Sequence, residues 1–124
     1  MKIAGKVVKG FAFGKKMGFP TINVEAAIPA GPAELAFGVY AARVYTTFGV
    51  FKGAFHFGPR RVLNSMKPIL EVHLLDFSGD LYGQDVQIEI MRFIRDTRDF
   101  QDPELLKKQI AKDVEQVRKL NIPL

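Results

Sequence analysis

The feature that most limits the fold is the spacing of the extended segments. From Ile3 to Phe93, runs of β-branched and aromatic residues alternate with glycine, proline and polar turns. None of that stretch has helical periodicity. Ile3–Lys9 reads as a first strand and Thr21–Val24 as a short extended piece. Gly38–Thr46 is rich in β-branched and aromatic residues, as strands are. Phe51–Phe57 alternates, which puts Phe51, Phe55 and Phe57 on one face and Lys52 and His56 on the other. Ile69–Phe77 is a fifth strand. Asp85–Phe93 is a sixth, with Val86, Ile88 and Ile90 sharing a face. Ser78–Gly83 reads as a hairpin connection between those two. Ala27–Phe37, with two prolines and a glycine, and Arg60–Pro68 read as loops. Six short strands with no helix between them argue against a parallel βαβ sheet.

The chain then changes period. Asp102 suits a helix N-cap and Pro103 the first helical position. Leu106, Ile110, Val114 and Val117 form one apolar stripe. Arg118 and Lys119 suit the C-terminal end of the helix dipole, and Pro123 marks a stop. An antiparallel sheet closed into a small barrel, with a terminal helix packed on it, is the economical arrangement. The 124 residues fit one domain spanning 1–124.

Composition narrows the chemistry. There is no cysteine, which excludes disulfides, thiolate metal sites and cysteine nucleophiles. The two histidines, His56 and His73, supply a Ser–His–Asp site or a histidine-rich metal site poorly. No run approaches the ~18 apolar residues of a membrane span. The first residues do not read as a signal peptide. A soluble protein in a reducing compartment, the cytoplasm, is expected, with no membrane partner.

The net charge is +5 and its placement is informative. Residues 1–24 carry Lys2, Lys6, Lys9, Lys15 and Lys16 and no acid, while the remaining charges cancel. A cationic segment attracts phosphate or another polyanion. Gly5, Gly10, Gly14 and Gly18 punctuate the same segment, so that backbone N–H groups and lysines can surround phosphates. The spacing is neither a Walker loop nor a dinucleotide fingerprint. After it comes Gly18-Phe19-Pro20-Thr21-Ile22-Asn23. On an extended strand, Thr21 and Asn23 point the same way and offer two neutral oxygens to one point. Magnesium accepts such ligands when a nucleotide brings the negative charge. By spacing alone, both residues serve equally as turn formers.

Taken in order, GKVVKG, GKKMGFPTIN, GVYAARV, ILEVHLLDF, DLYG and IRDTRDF resemble the bacterial and eukaryotic type of riboflavin kinase. The resemblance runs from about Ile3 to Val117. It implies a mainly β fold, a six-stranded antiparallel Greek-key barrel with a C-terminal helix. It implies Mg²⁺-dependent transfer of the γ-phosphoryl of ATP to the ribityl 5′-hydroxyl of riboflavin, giving FMN and ADP. In bacteria this domain usually forms one half of a bifunctional FAD synthetase. Carried over to matching positions, Thr21 and Asn23 would hold Mg²⁺, and Gly10 and Lys15 would lie against the ATP phosphates. Leu74, Asp76 and Tyr82 match positions lining the nucleotide pocket. Glu71 matches the catalytic base. Arg95, Arg98 and Phe100 match flavin-side contacts, in a segment before the helix that is able to act as a lid.

Phosphoryl transfer needs alignment, charge neutralisation and one carboxylate to orient the attacking hydroxyl, so a single glutamate suffices. His73 shares a strand face with Glu71 and is read as a supporting side chain, as is His56. The chain departs from the family at Ile22, where alanine is common. It departs again at Gly58-Pro59-Arg60-Arg61, where the family often reads Gly-x-x-Pro-Thr, and at Lys15, where bacterial members often have arginine. Ile22 is expected to face away from the metal pair. With two histidines 17 residues apart, no His-x-Gly-His nucleotidyl site exists, so FAD synthesis by this chain alone is not expected. An adenylyltransferase domain would lie elsewhere in a longer parent protein. The expected partners are small molecules and not nucleic acid. Two readings stand beside this one: a small barrel that binds single-stranded nucleic acid, and an inactive flavin-binding module.

Overall fold

The computed structural model of the chain describes residues 1–8, 21–26, 35–58 and 69–124. The strands there are β1 (Lys2–Val8), β2 (Thr21–Glu25), β3 (Gly38–Thr46), β4 (Gly49–Gly58), β5 (Ile69–Leu74) and β6 (Asp85–Arg95). One helix follows, α1 (Pro103–Lys119). All strand pairs are antiparallel, and the order β1-β2-β5-β4-β3-β6 closes on itself through β1 and β6. β3, β4 and β5 are successive neighbours and β6 returns to lie beside β3, which is a Greek key. Closure leaves no edge strand in the barrel.

The β3–β4 connection is a two-residue hairpin, with Thr46 opposite Gly49. The Thr46 hydroxyl donates to Gly49 O and accepts from Phe48 N. Gly49 has φ +128, which a side chain rarely tolerates. The expected hairpin at Ser78–Gly83 is not formed, because β5 and β6 are not neighbours in the barrel. That segment is a crossover: Gly83 N donates to Val7 O, and Val7 N donates to Gln84 O. β5 also stops at Leu74, short of the expected Phe77. Asp76, at φ 57, turns the backbone out of the strand.

Alternation sets two cores. Ile3, Val7, Ile22, Val24, Tyr40, Ala42, Val44, Phe55, Phe57, Val72, Leu74, Val86 and Ile88 fill the barrel interior. Phe51 and Ile90 pack against them, partly buried. Outside the wall, Ala41 and Ala54 stand opposite each other on β3 and β4. They form a floor without bulk, and Leu106, Ile110, Val114 and Val117 of α1 settle on it with Leu75 and Ile122. Full burial of each of these large side chains contributes about 1.5–3 kcal/mol. Asp102 caps the helix by accepting from Glu104 N. Lys52, on the outer face of β4, closes the other end by donating to Leu120 O at 2.8 Å.

The outer wall therefore has two regions. Just after β5, Leu75 belongs to the apolar patch under the helix, while His73 and Glu71 of β5 lie on the outer wall beyond it. The second region carries buried polar side chains.

Candidate active site

The register of three strands assembles it. On β2 and β5, Thr21 pairs with His73 and Asn23 with Glu71. On β4 and β5, Ala54 pairs with His73 and His56 with Glu71. Cross-strand partners share a face. Thr21, Asn23, His56, Glu71 and His73 thus lie together on the outer wall, while Ile22 and Val72 between them point into the barrel core.

These polar side chains are not a solvated surface. Glu71 and His73 are each 3% exposed and His56 is 6% exposed. Thr21 and Asn23 are half-buried. His73 Nδ1 lies 2.9 Å from Thr21 Oγ1. His73 Nε2 lies 3.3 Å from Glu71 Oε1. A buried carboxylate is costly unless it is paired or hydrogen-bonded, so five polar groups held together here form a built site.

The donor set suits a hard cation. Thr21 and Asn23 offer a hydroxyl and an amide oxygen from one strand face, and Glu71 stands opposite Asn23. Among the described residues no three His, Asp or Glu side chains cluster to hold a metal by themselves. Two neutral oxygens fit magnesium that keeps substrate phosphates among its ligands.

The other positions singled out in the sequence fall into four groups. Gly10 and Lys15 lie outside the described residues. Leu74 is 3% exposed and belongs to the barrel core, so its side chain points away from the face that carries Glu71. Asp76 and Tyr82 lie in the crossover after β5. Asp76 pairs with Arg118 at 3.1 Å, and the exposed Tyr82 takes its backbone N–H to Asp80. Arg95 is the last residue of β6, and Arg98 and Phe100 follow it. Arg95 is held by Asp113 of α1 through two hydrogen bonds of 2.8 and 2.7 Å, and it also donates to Asp96 O. The Arg98 guanidinium lies 5.6 Å from the Phe100 ring centre, and Phe100 packs against the helix core. Thr21, Asn23 and Glu71 are thus brought together by adjacent strands, whereas among the described residues Leu74 ends β5, Arg95 ends β6, and Asp76, Tyr82, Arg98 and Phe100 lie in the segments that follow these strands.

Two features escaped sequence reasoning. The first is the direct contact of His73 with Thr21 and Glu71, for which the i+2 spacing from Glu71 was the signal. The second is Asp113, 3% exposed, accepting from both Arg95 and Gln109. An acid lying inside the apolar stripe of the helix was its signal.

The riboflavin kinase (flavokinase) family matches residues 1–121. The chain belongs to the riboflavin kinase family. It is 40% identical over 115 residues to a bifunctional riboflavin kinase/FMN adenylyltransferase of Haemophilus influenzae, covering 92% of this chain and 36% of that one. It is 39% identical over 118 residues to the RNA-binding riboflavin kinase RibR of Bacillus subtilis, covering 94% and 50%. The chain therefore spans between about a third and a half of the length of these relatives. Among solved structures, one described as a macrolide-efflux protein from Streptococcus pneumoniae has a TM-score of 0.80 at 27% identity. It covers 97% of this chain and 39% of that one. Riboflavin kinase from Trypanosoma brucei has a TM-score of 0.62 at 24% identity, covering 94% and 76%, and shares the fold. Family membership makes the chain an enzyme domain of the kinase class. No helix among the described residues is long and apolar enough to cross a membrane.

Proposed function

We propose that this chain phosphorylates riboflavin on its ribityl 5′-hydroxyl, with ATP as donor and Mg²⁺ as the metal. The observation that carries the reading is Glu71, a buried carboxylate placed by strand register opposite Asn23 and beside Thr21. Glu71 orients the 5′-hydroxyl and accepts its proton as the new O–P bond forms. The bond from the γ-phosphorus to the ADP oxygen breaks, and the proton passes from Glu71 to solvent. Thr21 and Asn23 are the residues that would hold Mg²⁺, which when bound neutralises phosphate charge. Glu71 needs no special basicity, since alignment supplies most of the acceleration. Gly10 and Lys15 stay in this proposal as phosphate contacts. The loop from Arg95 to Phe100 stays as the flavin side, with Arg98 and Phe100 presenting a cation and a ring near the helix. Leu74 would meet a nucleotide only through its backbone.

Adenylyl transfer is not assigned to this chain. Both histidines are already placed beside Glu71, and the FMN adenylyltransferase name belongs to longer relatives. The substrates are small molecules, and the reaction is a cytoplasmic one. RNA binding is said of RibR and is not needed by this site.

The test is chromatography of a mixture of the chain, riboflavin, ATP and Mg²⁺, with each component omitted in turn and CTP tried in place of ATP. FMN in the complete mixture, none when any component is left out and no FAD is the expected result. No FMN from a folded chain with either nucleotide would overturn the proposal and return the nucleic-acid or inactive-module readings.

A further inference from the structure

Asp113 is a charged residue on the buried face of a helix. It shares that face of α1 with Ile110, Val114 and Val117, and it is 3% exposed. Its two oxygens hold one guanidinium: Oδ1 accepts from Arg95 Nε at 2.8 Å and Oδ2 from Arg95 Nη2 at 2.7 Å. Gln109 Nε2 donates a third bond to Oδ1 at 3.0 Å. For stability alone, apolar side chains of similar volume often serve as well as a buried ion pair. What the pair adds is direction, because a planar guanidinium on two carboxylate oxygens has one orientation. The remaining nitrogen of that guanidinium, Nη1, donates to Asp96 O at 2.9 Å. Through Arg95, Asp113 thus fixes the first residue of the segment 96–102.

The wall beneath that segment is the wall of Glu71. Arg95 pairs with Val39, Val39 with His56 and His56 with Glu71, one row across β6, β3, β4 and β5. Gly58, two residues past His56 on β4, has φ +149, and a Cβ on it would lie 3.0 Å from the Thr97 methyl. The segment therefore passes closely over the end of β4. Further along, Phe100 packs against the helix core and Asp102 caps the helix. Arg98 stands between these anchors.

We infer that Asp113 is a positioning residue for riboflavin: through Arg95 it sets where the segment carrying Arg98 and Phe100 stands relative to Glu71. This rests on the flavin-side role proposed above for that segment. Asn in place of Asp113 keeps the shape but turns an amide N–H₂ toward the guanidinium instead of one acceptor, so the two-bonded hold is lost. A displacement of about 1 Å in groups that align a substrate can cost about 10²-fold in rate.

Asp113→Asn and Val117→Ala are compared with wild type. Val117→Ala opens a cavity under the same helix, one turn nearer its C-terminus, and leaves the Arg95 bonds in place. Quenching of flavin fluorescence reads riboflavin affinity, calorimetry reads ADP with Mg²⁺, urea unfolding reads stability, and a steady-state assay reads FMN formation. In Asp113→Asn, riboflavin affinity is expected to fall about 10-fold and kcat/KM for riboflavin about 10²-fold, with ADP affinity within about two-fold of wild type. Val117→Ala is expected to lose stability and keep riboflavin affinity. Wild-type riboflavin affinity and kcat/KM in Asp113→Asn would overturn the inference. An equal loss of riboflavin affinity in Val117→Ala, or of ADP affinity in Asp113→Asn, would overturn it too and reduce Asp113 to a part of helix docking. If Asp113→Asn does not fold, Gln109→Met decides, since it removes only the third bond to Asp113. Riboflavin affinity about three-fold weaker in that variant supports the inference, and wild-type affinity overturns it. Wild type that binds riboflavin and makes no FMN would overturn the proposed reaction, and the affinities would still decide for Asp113. Wild type that binds no riboflavin would overturn both.

Discussion

At the scale of single residues, the site is defined by polar side chains where a barrel wall could have been apolar or wet. Glu71 is buried on the outer face between Asn23 and His56, and that placement is set by alternation along β5. The same alternation sends the Leu74 side chain inward, so the matched position presents its backbone on the outer face. Thr21, Asn23 and Glu71 were legible as separate residues through the family pattern. The adjacency of Glu71 to the other two was not, because it depends on β2 pairing with β5 across 48 residues of chain, from Asn23 to Glu71. Ile22 was expected to face away from Thr21 and Asn23, and it lies in the core. Asn23→Ala is expected to raise the Mg²⁺ concentration for half-maximal FMN formation at least about 10-fold, because loss of a direct ligand exceeds loss of an outer partner. A metal titration superposable on wild type would remove Asn23 from the metal site.

At the scale of elements, local signals succeeded where local physics decides. The N-cap Asp102, Pro103 and the apolar stripe of α1 stand as read, because capping and periodicity are properties of neighbouring residues. β3 matches its expected bounds for the same reason. The failures are at connections. Ser78–Gly83 has turn composition, yet whether a turn joins neighbouring strands is decided by the whole barrel. The joint between β6 and α1 was equally hidden. There Arg95 and Asp113 form a two-bonded ion pair, with side chains 17% and 4% exposed. Removing one partner of such a pair leaves the other desolvated and typically costs about 3–5 kcal/mol. Arg95 keeps some water, so Asp113→Ala should lie near the low end, about 3 kcal/mol. Urea unfolding with an unchanged slope is the measurement, and a loss under ~1 kcal/mol would show that the joint is held by apolar packing alone.

At the scale of the molecule, barrel closure and helix docking were legible as the economical use of six strands and one amphipathic segment. The seam between β3 and β6 adds an electrostatic clasp on the outside. Arg43 donates two hydrogen bonds to Glu89 at 2.9 and 2.6 Å, Tyr45 donates a third, and Arg43 also reaches Pro123 O in the C-terminal tail. The Arg43 and Tyr45 hydrogen bonds hold the Glu89 carboxyl below its usual 4.5. A carboxyl with a depressed pKa stabilises the fold above its unfolded value, and that contribution is lost as pH falls through the folded value. Glu89→Gln should therefore be less stable than wild type at neutral pH, with the gap shrinking below about pH 4.5. Melting temperatures across pH 3–7 would show it, and a gap that is constant with pH would contradict the clasp.

The central claim is that a buried glutamate on the barrel wall takes the proton of riboflavin's 5′-hydroxyl. The direct measurement is FMN formation by Glu71→Gln beside wild type, with riboflavin binding followed by flavin fluorescence. Gln keeps the shape and removes the base. The account predicts a fall in kcat of at least about 10²-fold, with riboflavin affinity within a few-fold of wild type. Turnover near that of wild type would contradict it.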